Sequence, residues 1–545
     1  MMGVQDPPQG KLYYIHFNLD QRIRPNHPLR KIDRLIDFDF IYREVADKYG
    51  FNGNVSVPPP IILKLMLLLV FYNIRSEREL MDTLPERLDW LWFLGYDLDS
   101  EIPDHSVLSK ARRRWGTEVF QSFFERIVVQ CVEAGLVDGG KIFLDASLVE
   151  ANASNSSVLD MRSLKGQLHQ RYQELEARLE EKGESADGSP NYEKKNSRYL
   201  STTDPDASIV NRGQPKLSYQ VHRAVDPQSE IITATQATPG DVNEAHLLLP
   251  LWESHHLTTG LEAVTVVADS KYGTIENFLA CQDRGLQAHM PDLREAAAKR
   301  SQKRKIFSEE SFCYDPKSET YRCPAGNRLK PKSLHLSRQS RDYAAPQKVC
   351  AACSLREQCT KNRSGRTVKR HLRQEDLDRM REAARSAPAK RDLQTRKHLM
   401  ERSFARSKHY GYDRARWRGL WRMQIQDYLT CAIQNIQVLI KQAGKPRKWA
   451  AAKASAVNGS FIQPLSLLMG TTENLRLGRF CYGPYSLSKN LVSMILKDRQ
   501  DISRKLVWAT GPLHLDRDID NLTDEPHCRG ISEKARRSNP LPRVS

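Results

Sequence analysis

The sequence predicts an α/β fold behind an all-helical N-terminal domain, broken by a basic insertion rich in cysteine. Three observations carry this. Apolar residues recur at three-and-four spacing up to about residue 140, and short apolar runs carrying aspartate then alternate with helical stretches from 141 to 293. Five of the ten cysteines crowd between 313 and 359. At 545 residues the chain is long enough for two or three folded units, each burying its own core. The expected divisions are 1–138, 139–293, 294–394, 395–442 and 443–545.

In the first division Pro58 to Pro60 are positioned to start a helix, and Ser76 stands three residues before Glu79 as in a capping box. A further helix begins beyond Asp104. Phe120, Phe123, Phe124, Ile127, Val128 and Cys131 then repeat as a core-facing stripe. Lys110, Arg112, Arg113 and Arg114 give this region two readings: a helix-turn-helix that contacts DNA, or a helical bundle with a solvated basic face.

At 141 the period changes. Ile142, Phe143 and Leu144, then Ser147 to Val149, surround Asp145 in a run that reads as a buried strand. Residues 151–200 are polar, with an amphipathic charged piece, and form an insertion or loop. Leu217 to Val225 and Ile231 to Ala237 pair as a hairpin around the Asp226-Pro227 turn. A helix over 243–254 follows, and Val264 to Ala268 delivers Asp269 at a strand's end. Another helix and a strand near Leu286 to Met290 complete the alternation. Long helices resume at 395, and no chemistry is assigned to 443–545.

Charge narrows the partners. The chain holds 84 Lys and Arg against 66 Asp and Glu, a net +18 that favours a polyanion. Between 294 and 420 alone, 34 basic residues face 14 acidic ones, so the excess is local. A membrane is the weaker candidate partner, because the longest apolar stretch, Ile61 to Phe71, contains Lys64 and falls short of the ~20 residues a bilayer span needs. The N-terminal residues lack the pattern of an export signal, which predicts a cytoplasmic protein.

An aspartate inside an apolar strand is costly to bury unless it is paired or bound to a cation. Asp145 in IFLDASLV and Asp269 in VTVVADS both stand so, the second at the carboxyl end of its strand, where α/β folds gather ligands. Aspartates at strand ends also cap helices and turns, and two of them on separate strands favour a shared site. Hard divalent cations such as Mg²⁺ take oxygen ligands, and a pair of them can activate a nucleophile at a phosphodiester. A glutamate on a helix, Glu401 in LMERSFARSK, is the candidate third carboxylate.

The blocks LDASLVEANAS, ADSKYGT and MERSFARSK followed by RARWRGL resemble the three catalytic blocks of bacterial insertion-sequence transposases of the Asp-Asp-Glu class. SERELMDTL, WFLGYDL and IPDHSVLSKARRR resemble that family's entry domain, so the similarity spans roughly 55 to 440. The resemblance implies an RNase H-like core that binds Mg²⁺ or Mn²⁺ through Asp145, Asp269 and Glu401. It further implies cleavage at transposon ends, transfer of the freed 3′-hydroxyl into target double-stranded DNA, and a homodimer or higher synaptic complex. Tyr272 falls in the family's Asp-x-x-Tyr pattern. Lys408 matches the lysine seven positions after the glutamate, while Lys397 and Gln394 stand where the family has Arg and Tyr. Two rivals stay open: a related nuclease that cuts without joining, and a non-catalytic DNA-binding protein derived from a transposase.

Cys350 and Cys353 have two-residue spacing, Cys359 follows, and Cys323 precedes them, a set able to enclose a structural Zn²⁺ in a small zinc-ribbon-like insertion. Cys313 is the poorer ligand because it occupies a predicted strand. Basic residues flanking the glutamate helix, Lys397, Lys408, Arg414, Arg416 and Arg418, are the candidate DNA contacts. They interleave with Trp417 and Trp421, which can stack on unpaired bases or face the core, and at least one is expected to face the core.

Overall fold

The computed structural model describes residues 18–50, 52–160, 199–292 and 305–443, with a few isolated positions besides. The amphipathic piece expected within 151–200, and the chain from 444 onward, lie outside the described residues. Helices fill the chain to residue 133: α1 (Leu19–Arg22), α2 (Pro28–Leu35), α3 (Phe40–Glu44), α4 (Pro59–Phe71), α5 (Glu77–Thr83), α6 (Leu88–Leu94), α7 (Ser106–Trp115) and α8 (Glu118–Glu133). Their starts follow the sequence signals. The Ser76 hydroxyl accepts the Glu79 N–H at 3.1 Å, and Asp104 accepts the Ser106 N–H at 2.8 Å. α4 is buried along nearly its whole length. Lys64, the one charge in it, is satisfied by Asp33 and the Phe93 carbonyl, each at 2.9 Å. No helix of the described residues is long and apolar enough to cross a membrane.

The main sheet contains β1 (Lys141–Glu150), β4 (Ser208–Arg212), β5 (Gln214–Asp226), β6 (Ile231–Pro239), β7 (Thr265–Val267) and β8 (Gln287–His289), while β2 (Val158–Asp160) and β3 (Tyr199–Ser201) pair separately. β6 and β4 share one edge of β5, β5 runs antiparallel to β1, and β1, β7 and β8 run parallel in that order. Helix α9 (Leu248–Thr259) leads from β6 into β7, and α10 (Ile275–Asp283) connects the parallel β7 and β8. The pleat sends successive β1 side chains to opposite faces. Phe143 joins the cluster of the N-terminal helices, and Ile142 and Leu144 join the cluster beneath α9 and α10.

The sequence division at 138 does not separate two cores. Leu29, Trp90, Phe120 and Phe123 share one apolar cluster with Phe143, Val267, Met400, Leu429 and Ile433. The reason is that α4, apolar on all sides, needs cover on all sides, and the last helix supplies part of it.

The insertion folds as a second sheet in sequential order: β9 (Cys313–Asp315), β10 (Thr320–Arg322), β11 (Arg328–His335), β12 (Ser340–Ala344) and, after short helices α11 (Gln347–Ala351) and α12 (Arg356–Cys359), β13 (Thr367–His371). It ends earlier than the expected residue 394. Helix α13 (Gln374–Ala384) already packs on α10 and β8, with Leu377, Met380 and Ala384 in their cluster. Its apolar face was masked in the sequence by the basic composition around it. α14 (Ala387–Lys408) and α15 (Leu420–Ala443) close the fold.

Candidate active site

The parallel register of β1 and β7 determines what stands together. Lys141, Ile142 and Phe143 pair with Thr265, Val266 and Val267, so Asp145 and Asp269 each lie two residues beyond the last pair, level with one another where the strands part. Asp145 is largely inside, its side chain 24% exposed. Burial pushes its carboxyl up to about 6; Arg396 and the Ala146 N–H pull the other way, and the charges of Asp269 and Glu244 add to the rise. Asp269 is half-buried and accepts the Lys271 N–H at 2.9 Å, a local turn that fixes its carboxylate.

Arg396 holds the first aspartate from α14. Its guanidinium, buried, donates to the Leu144 carbonyl at 2.8 Å and pairs with Asp145 at 2.8 Å. One turn earlier Asp392 accepts Lys141 at 2.8 Å and His289 at 2.7 Å, tying the same helix to the start of β1 and the end of β8. The sequence reading placed the family's arginine position at Lys397. That residue is exposed, and its neighbour Arg396 is the one that reaches the strand.

Glu401 lies on the outer face of α14. Lys397 and Lys408 are exposed on the same face, at four and seven residues from it, while Arg396, Ser403 and Ser407 occupy the buried face. The β1–β7 register sets the two aspartates level, and Glu401 is exposed on its helix.

Three residues near the aspartates escaped the sequence reading. Glu244, 4% exposed, accepts hydrogen bonds from Gln220 and Lys271 and adds its charge to Asp145 and Tyr272. In sequence it is one more acid in the first turn of a helix. Arg223, across the sheet from Asp145, is wholly buried, between the Phe404 and Tyr412 rings, with Asp427 at 3.7 Å and Ser407 at 2.8 Å. In its strand, YQVHRAV, Arg223 falls in phase with Tyr219, Val221 and Val225, so alternation itself places it on the apolar face. Gln220, on the same strand, is hidden likewise. Tyr272, in the Asp-x-x-Tyr pattern, is fully buried, its hydroxyl without a hydrogen-bond partner among the described residues. Burial and the nearby charges of Glu244, Asp145 and Asp269 hold that hydroxyl protonated. Gly273 lets the loop turn beneath it, since a Cβ there would stand 2.2 Å from the Pro291 carbonyl oxygen.

The donor set fits a hard divalent cation in part. Two level carboxylates, one with its charge disfavoured by burial and like neighbours, form a concentration of negative charge that a cation relieves. Among the described residues no three His, Cys, Asp or Glu side chains are spaced to hold a metal as they stand.

The flanking basic segment divides. Arg414 and Arg418 are exposed, Arg418 donating to the Asn152 carbonyl. Arg416, expected on DNA, is instead turned inward, donating to the Ile74 and Tyr410 carbonyls and to Asn73, because its segment packs against the end of α4. Trp417 faces the core as expected for at least one indole: it bonds Glu77 at 3.1 Å and lies under the guanidinium of Arg112. Arg112 itself is buried and paired with Glu77, so it is no DNA reader. Trp421 packs against the same cluster with Arg422 over its ring.

In the insert, Cys323, Cys350, Cys353 and Cys359 line one small cavity, and Cys313 is exposed on β9. Burial raises the Cys359 thiol, Arg366 lowers it, and the other three cysteines raise it further, as expected of close neighbours.

The family described as Transposase domain (DUF772) matches residues 17–114, and the family described as Transposase DDE domain matches residues 322–440. The first covers the helices from α1 to α7, and the second covers Cys323, Cys350, Cys353, Cys359, Glu401 and Lys408. No curated protein matches the chain. A solved piggyBac transposase synaptic complex with hairpin DNA is similar over 82% of this chain and 87% of that one, at 12% identity and a TM-score of 0.26, a likeness too slight to argue from.

Proposed function

Because the chain is a DDE transposase, an enzyme that cleaves and joins DNA with divalent metal, we propose that Asp145 and Asp269 are its catalytic aspartates and Glu401 their third partner. The observation that carries this is the level placement of the two aspartates beyond the last β1–β7 pair. The sheet order, with antiparallel β6, β5 and β1 followed by parallel β7 and β8, supports an RNase H-like core. Mg²⁺ or Mn²⁺ is the ion of this reading; when bound it supplies activation of the attacking oxygen and neutralises charge on the phosphodiester.

The protein's part is positional. Arg396 fixes the rotamer of Asp145 and offsets its charge until a cation is present. The Lys271 N–H orients Asp269, and Glu244 anchors the Lys271 side chain. Lys397, Lys408 and Arg414 present cations on the face that carries Glu401 or just beyond it, where a DNA backbone can lie. Glu401 joins the site when DNA is held along that face. The substrates are the ends of a bacterial insertion sequence and its target DNA, held by two or more copies of the chain.

The test is metal-dependent nicking of supercoiled DNA carrying the element's ends, followed by joining of pre-cut ends. Nicking that EDTA abolishes, with joining, supports the reading. Nicking without joining makes the protein a nuclease, and DNA binding without either makes it a binding protein only.

A further inference from the structure

We propose that Cys323, Cys350, Cys353 and Cys359 together bind one structural zinc ion. The insert's packing gives the need for it. Sheet β9–β13 has as its described apolar core Phe312, Tyr321, Leu329, Tyr343, Ala345 and Val368, and a module of that size is marginal without a cross-link.

The thiols come from three separate pieces of chain. Cys323 sits in a tight turn after β10, its N–H donating to the Asn327 carbonyl at 2.9 Å and its carbonyl accepting the Gly326 N–H at 2.8 Å. Cys350 is in α11, Cys353 lies just past its end, and Cys359 ends α12. All four line one cavity of about 30 Å³ walled by Phe312, Leu329 and Ala345, the room a water-sized guest takes. Gly365, at φ +91°, brings the following loop over it; a Cβ there would stand 2.8 Å from the Cys350 sulfur.

Zinc takes four thiolates tetrahedrally, each thiol losing its proton to solvent on binding. Among the described residues no His, Asp or Glu lines the cavity, so four sulfurs fill the coordination sphere and leave no position for a substrate. The sulfurs surround the cavity without yet converging on one point. Zinc therefore draws the turn and the two short helices inward, closing the module by coordination where apolar area falls short.

The experiment is zinc analysis of the full chain purified without chelator, with the thiols then titrated by a mercurial. The expected result is about one zinc per chain, released as about four thiols react. Cys350→Ser and Cys359→Ser lower the content at least about fivefold, and Cys313→Ser leaves it unchanged. Less than about a tenth of an equivalent in the unaltered chain, or equal loss with Cys313→Ser, overturns the proposal, as does a disulfide among the four. Should the serine variants fail to fold, Co²⁺ exchanged into the unaltered chain decides: a tetrahedral thiolate absorption band supports the site and its absence sinks it. These readouts involve no DNA, so their failure is separable from failure of the catalytic reading.

Discussion

In the main sheet and the helices packed on it Arg223, Arg396, His222 and His255 are all buried, each with a protein partner. In the insert Arg328, Lys330, Lys332 and Lys369 stand exposed around six buried apolar side chains. The contrast separates two uses of charge. Where apolar area is ample, an ionisable group can be brought inside to lock elements together or to hold a reactive partner, at a desolvation cost the core absorbs. Where the core is thin, charges stay outside and remain available to a polyanion.

The sharpest way to break that contrast is at the aspartates. Asp145→Ala or Asp269→Ala should cut strand cleavage by about 10³-fold or more, since several kcal/mol of transition-state stabilisation depend on the ions they hold. DNA affinity, measured by filter binding, should change less than about twofold, because the basic face is elsewhere. Wild-type cleavage by either variant would refute the site.

Arg223→Ala tests the buried network alone. It leaves Asp427 in the core without its cation, and chemical denaturation should show a loss of about 3–5 kcal/mol. Unchanged stability would mean the network is ornamental.

Acid should weaken the sheet through its histidines. Burial lowers His255 to about 4 and, more strongly, His222 to about 3. Both are neutral bases in the folded chain, whereas in the unfolded chain they take up a proton near 6.5. Their stabilising effect is therefore complete above pH 6.5 and is lost as pH falls toward 4, by about 3 kcal/mol for His255. His255→Gln should flatten the dependence of unfolding free energy over that window; an unchanged slope contradicts the assignment.

The smallest effect separates outward from inward cations on the DNA side. Lys408→Ala should reduce the salt slope of DNA binding by roughly one and leave thermal stability unaltered. Arg416→Ala should do the reverse, lowering stability by about 1–3 kcal/mol through the carbonyls it deserts. Equal salt slopes for the two variants would erase the distinction.

Much of the fold was legible because its signals are local. The capping residue Ser76, the helix start beyond Asp104, the α8 stripe and the strands around Asp145 and Asp269 lie where periodicity and turn chemistry put them. The insert's return to the core at Gln374 was not legible, since the apolar residues of α13 are spaced among charges typical of a solvated helix. Within the site, both aspartates stand out as acids in apolar runs. Glu244 does not, because it sits in a helix start whose local pattern is ordinary; Arg223 shares a strand face with Tyr219, Val221 and Val225, but its partners Ser407 and Asp427 come from distant segments.

By itself the sequence determined most strands and helices outside the insertion, that two aspartates stand in or just past separate strands of an α/β core, and that cysteines and cations gather in one insertion. These follow from near-neighbour chemistry and from burial cost. Tertiary structure alone decided that the N-terminal helices share a core with the sheet, and that Arg396 rather than Lys397 meets Asp145. It also turned Arg416 inward and left Glu401 outside. Those outcomes depend on which face of a helix meets which surface, a choice made by contacts between residues hundreds of positions apart.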